Sequence, residues 1–172
     1  EKSGGELTVQ LFPSAQLFKD KEVPGAVGAG AVEAGSAFLG RFTGAVPAVD
    51  VVNLPFFFRN EEHLRAAVAT GAPMRNVLDA AVLEETGAKV LWWQAFGRNV
   101  YLSNETAIRT PADLNNQKVR TYGKVLGWTV EALGGAPTLM SGSKQFLAYQ
   151  QGALEVGMTG ASAEKSRKLH EV

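Results

Sequence analysis

Thr110-Pro111-Ala112-Asp113-Leu114-Asn115-Asn116-Gln117-Lys118-Val119-Arg120-Thr121 carries a helix start, a turn and a strand in one short stretch. Thr110 suits an N-cap, because its hydroxyl can accept a backbone N–H of the first turn. Pro111 fits the first helical position, where no N–H is needed, and Asp113 brings a carboxylate to the same donors. The run Lys118 to Thr121 reads as a β-strand. Downstream, Val125, Trp128, Thr129, Ala132 and Leu133 fall on one helical face that ends at Gly134-Gly135. A short strand, Ala136 to Met140, a helix from Ser143 to Gln151 and a strand, Leu154 to Met158, are expected next.

Working upstream, the same grammar recurs. Leu7 to Phe12, Lys89 to Trp93 and Asn99 to Leu102 are β-rich. Between the first two, Leu64, Ala67 and Val68 line one helix. Val77, Leu78, Ala81 and Val82 line another, which starts at Pro73 and stops at Gly87, where glycine can take a left-handed cap. In Gly25 to Gly35 the Pro24-Gly25 pair weakens any helix. Strands alternating with helices predict α/β layers with mostly parallel sheets. At Phe96-Gly97-Arg98 two β-rich runs meet without an intervening helix, so a strand there can carry the chain from one lobe to another and serve as a hinge. The expectation is a first lobe over 1–97 and a second over 98–172, with the crossing at 96–98.

Composition narrows the function classes. The 172 residues are 45% hydrophobic and 20% charged, the mix of a globular protein, and can bury roughly 70% of their unfolded surface. Lys plus Arg and Asp plus Glu number 17 each. Net charge zero supplies no field for a phosphate backbone, so nucleic acid is not an expected partner. No cysteine is present, which removes disulfides and thiolate chemistry and suits an oxidising compartment. No run approaches the roughly 18 apolar residues of a membrane span, and the opening Glu1-Lys2-Ser3-Gly4-Gly5 has no signal-peptide pattern.

Several phrases, collinear across nearly the whole chain, resemble the solute-binding protein of TRAP (tripartite ATP-independent periplasmic) transporters, dicarboxylate-binding class. They are Leu11-Phe12-Pro13-Ser14-Ala15-Gln16-Leu17, Leu54-Pro55-Phe56-Phe57-Phe58, Ile108-Arg109-Thr110-Pro111-Ala112-Asp113-Leu114 with Lys118-Val119-Arg120, Leu133-Gly134-Gly135-Ala136-Pro137-Thr138-Leu139-Met140, and Gln150-Gln151-Gly152-Ala153-Leu154-Glu155. The resemblance implies a two-lobed periplasmic-binding-protein-like α/β fold with a mostly parallel sheet in each lobe. It also implies capture of a small organic acid between the lobes and delivery to the transporter's membrane subunits. Family members begin with a further strand and helix and continue past Val172, so the chain is expected to be an incomplete, internal fragment. Phe18 and Asn116 stand where the family usually has glycine, and Gly157-Met158-Thr159-Gly160 replaces a phrase that often supplies a ligand-binding amide.

The resemblance makes Arg120 the main ligand anchor. The chemistry agrees: a guanidinium fork matches a carboxylate with two parallel hydrogen bonds, and ligands gather at the carboxyl ends of strands in α/β sheets. Arg98 is the second candidate. Phe96 and Phe146 are candidate apolar walls, with Thr159 and Ser36 taken from their place in the pattern. Trp92 and Trp93 are expected in the core.

Catalytic readings find little support. Gly25-Ala26-Val27-Gly28-Ala29-Gly30 runs opposite to a dinucleotide fingerprint, His63 and His170 have no ligand-like spacing, and Ser141-Gly142-Ser143 has no partnered base. The run Glu164-Lys165-Ser166-Arg167-Lys168 reads as a solvated helix face. No enzyme, cofactor or metal is expected. The rivals are a small α/β enzyme and a truncated, non-binding fragment that self-associates through unfinished sheet edges.

Overall fold

The computed structural model describes residues 3–95 and 97–172. Its one sheet lies in the second half, where β1 (Asn99–Ser103), β2 (Lys118–Thr121), β3 (Ala136–Leu139) and β4 (Val156–Gly160) are ordered β1-β4-β2-β3. β2 runs parallel to both neighbours, with Arg120 level with Gly157 in β4 and Thr138 in β3. β1 is antiparallel to β4, so Asn99 faces Gly160. The carboxyl ends of β2 and β4 and the amino end of β1 therefore share one edge of the sheet.

Local chemistry explains why these residues adopt these elements. Before β2, Thr110 and Asp113 form a reciprocal capping box around the 3-10 turn Pro111–Leu114, as expected. Lys118–Thr121 then forms β2, with Val119, Arg120 and Thr121 all buried. The helix after it, Lys124–Ala132, packs Leu126 and Val130 onto Leu114, Val119, Val156 and Met158. Fully burying such side chains contributes roughly 1.5–3 kcal/mol each. Gln145–Gln150 is the helix before β4; its Ala148 and Tyr149 close a second cluster with Leu154 and Leu169. Ser162–Ser166 follows β4 as a short helix.

The first half is helical and coiled. Val23–Gly28, Glu61–Ala67 and Pro73–Thr86 are its α-helices. The longest starts at Pro73 and ends on Gly87 at φ 70°, as its sequence predicts. Leu78 and Val82 pack with Val49 of the Pro47–Asn53 turn and with Val46 just before it, whereas Val77 of the expected stripe points to solvent.

Three expectations are corrected here. Leu7–Phe12 and Lys89–Trp93 are not strands: among the described residues neither has a ladder partner, and Leu7, Val9 and Leu11 are 70%, 67% and 81% exposed. A β-prone run becomes a strand only when a neighbour accepts its N–H and C=O groups. The sheet expected in the first lobe is accordingly absent from its described residues, and the α/β layering is carried by residues 99–160. Trp92 is 67% exposed instead of buried, while Trp93 is half-buried and donates its indole N–H to Asp79 at 2.7 Å. Finally, Pro24-Gly25 does not undo a helix. Pro24 sits in the first turn, where it is tolerated, and Gly28 meets the Thr86 carbonyl so closely that a Cβ would overlap it.

Candidate functional site

Arg120 lies near the carboxyl end of β2 and is 3% exposed. Its Nε donates to the Met140 carbonyl at 3.0 Å, just past β3, and its Nη1 donates to the Met158 carbonyl of β4 at 2.7 Å. The two carbonyls orient the fork and leave further N–H donors. The guanidinium stands 4.9 Å from the Tyr122 ring centroid. Arg120 and Tyr122 are two residues apart, the strand spacing that places side chains on one face. Tyr122 in turn donates its hydroxyl to Asn99 at the start of β1. Among the described residues no carboxylate lies within ion-pair distance of Arg120. Burial, then the charge of Arg167, push its pKa down to about 10.

The other expected residues divide. Thr159 is buried on β4 at the same edge and accepts a hydrogen bond from Arg167 Nη1 at 3.3 Å. Arg98 precedes β1 at this edge but is exposed. Phe146 is half-buried and packs against the apolar cluster of Ala148, Tyr149, Leu154 and Leu169. Ser36 is exposed; two residues on, Phe38 meets Tyr122 edge-to-face at 4.9 Å between ring centroids, which brings the first half of the chain to the sheet edge. Phe96 lies outside the described residues.

Sequence reasoning missed several members. Arg167 was assigned to a solvated face, yet it is half-buried while Glu164, Lys165 and Lys168 around it are exposed. Burial holds its pKa below the usual arginine value. Arg41, whose side chain is 14% exposed, pairs through Nε with Asp20, and Asp20 also accepts the Phe38 backbone N–H at 3.1 Å. Gln145 is fully buried, packed beside the Tyr149 hydroxyl where a Cβ on Gly157 would be. Only Tyr122 had a readable signal, its two-residue offset from Arg120. Two open surface hollows, one between Ala48 and Leu78 and one over Gly28 and Thr86, do not include Arg120.

A buried guanidinium held by carbonyls at the carboxyl ends of parallel strands β2 and β4 can donate its remaining N–H groups to a carboxylate. Comparison with known proteins agrees in kind. The family profile described as bacterial extracellular solute-binding protein, family 7 (DctP) matches residues 1–172. The chain belongs to this family. The C4-dicarboxylate-binding periplasmic protein DctP of Rhodobacter capsulatus is 29% identical over 174 residues, covering 99% of this chain and 50% of that protein. The TRAP periplasmic solute-binding protein of Sulfitobacter sp. NAS-14.1, solved with β-D-galacturonate, superposes with a TM-score of 0.91 at 27% identity, over 99% of this chain and 56% of that one. That of Sulfurospirillum deleyianum, solved with succinate, superposes with a TM-score of 0.86 at 29% identity, over 99% and 54%. The chain spans about half the length of the curated relatives it matches.

Proposed function

We propose that the chain is part of a periplasmic solute-binding protein that captures a small organic acid and hands it to a TRAP-type membrane transporter without transforming it. The observation that carries this reading is Arg120: a cation 3% exposed, fixed by the Met140 and Met158 carbonyls, with no carboxylate in reach among the described residues. A desolvated charge without a counter-ion is costly, and a ligand carboxylate would supply one with two parallel hydrogen bonds. Family membership and the acids bound by its solved relatives support the same chemistry. Residues 1–97 and 98–172 form the two lobes in this reading, and the crossing at 96–98, where Gly97 takes φ 79°, is the hinge. Ligand contacts from both lobes would drive closure, since a ligand shifts the equilibrium only by its preference for the closed state. Thr159 and Arg98 stand at the same sheet edge as secondary contacts.

The test is thermal unfolding against a panel of small carboxylic acids, with Arg120→Ala in parallel. A ligand at about 100 times its Kd stabilises by roughly 2.7 kcal/mol, a shift of several degrees. Stabilisation of the parent that is lost in Arg120→Ala supports the anchor. Equal stabilisation of a folded Arg120→Ala would remove it.

A further inference from the structure

We infer that Arg167 is a second anion anchor beside Arg120, and that the pair makes this site selective for dianionic ligands over monocarboxylates. The inference rests on the carboxylate reading of Arg120 given above and adds a residue and a ligand charge to it.

The two arginines bridge the same pair of chain segments. Arg120 donates to Met140 and Met158. Arg167 donates to Thr159, the residue after Met158, and its guanidinium lies on Gly142, two residues after Met140. Gly142 is what admits it, because a Cβ there would overlap Cζ and both terminal nitrogens. Thus Arg167 leaves a charged, exposed helix end and turns its fork to the sheet edge.

Asp20 is the acidic group whose charge acts on Arg167, and it is already committed to another arginine. Arg41, the third arginine of this neighbourhood, has its counter-ion in Asp20. Among the described residues neither Arg120 nor Arg167 has a carboxylate within ion-pair distance. Burial first, and the Arg167 charge second, lower the proton affinity of Arg120. Two forks held together in a partly desolvated place repel. A monocarboxylate would neutralise one and leave the other; two carboxylates would neutralise both. Guanidinium, planar and weakly hydrated, is also the cation best suited to such a paired anion seat.

The experiment is calorimetric titration of the intact protein with two matched probe pairs: succinate against succinamate, and glutarate against glutaramate. Within each pair, one carboxylate is replaced by an uncharged group. We expect the parent to bind at least one dianion about tenfold or more tightly than its singly charged counterpart, the effect of one desolvated charge pair. Arg167→Gln, with its fold checked by circular dichroism, should bring that pair nearly level. Arg120→Gln should weaken both members. The parent comparison needs no variant, so misfolding of Arg167→Gln would not protect the inference. Preference for the singly charged member, or a dianion preference that survives in Arg167→Gln while Arg120→Gln loses binding, overturns this inference alone. Unchanged binding in Arg120→Gln, or no heat from any probe with the parent, overturns the Arg120 reading and this one with it.

Discussion

Lys118–Thr121 and Leu7–Phe12 have similar β-forming composition and opposite fates. The first lies between β3 and β4, with Val119 fully buried. The second is largely exposed, without a ladder among the described residues. The difference teaches that β-propensity describes fitness for a paired, half-buried surface, and the pairing has to come from elsewhere in the chain. It also separates a half whose strands carry Arg120 and Thr159 from one that meets the same sheet edge through Phe38.

The contrast is open to test, beginning with the largest effect. Leu114→Ala removes a side chain 2% exposed beneath β2 and should cost about 3 kcal/mol, whereas Leu11→Ala, at a residue 81% exposed, should change stability by less than about 0.5 kcal/mol. Urea unfolding of both variants reads the difference; equal losses would mean that Leu11 is packed and the two regions are alike. Glycine substitutions should differ in sign. Gly157→Ala puts a methyl group into Gln145 and Tyr149 and should destabilise by roughly 1–3 kcal/mol. Gly25→Ala, in a helix with open space around it, should stabilise by roughly 0.5–1 kcal/mol. The smallest effect concerns the capping box ahead of β2. The backbone N–H groups of Arg109 and Thr110 donate to Asp113 and hold its carboxyl below its ordinary value. Its contribution is therefore full above that ordinary value and is lost as pH falls through the lower folded value. The melting temperature of Asp113→Asn should lie slightly below the parent's near neutrality and converge with it in acid; a gap independent of pH would detach the cap from this carboxylate.

Much of the fold around β2 was legible beforehand. The Thr110 cap, Pro111, the strand bounds 118–121, the Pro73 start and the Gly87 stop all depend on groups within a few residues of one another, so their order in the chain states the answer. Of the candidate site, Arg120 and Thr159 were named from their surrounding phrases, and folding buries both at one sheet edge. What Phe146 packs against was not legible, because which side of a short helix faces the core depends on what packs there.

The sequence alone determined the family and the capped turn and strand that carry Arg120. Tertiary structure decided that Arg167 leaves a row of solvated charges to lie over Gly142 and Thr159, and that Asp20 neutralises Arg41 across 21 residues. It also left Leu7–Phe12 without a ladder among the described residues. The reason is physical. Caps and turns close with neighbours in sequence, whereas strand pairing, burial and charge compensation need partners that only folding brings into reach.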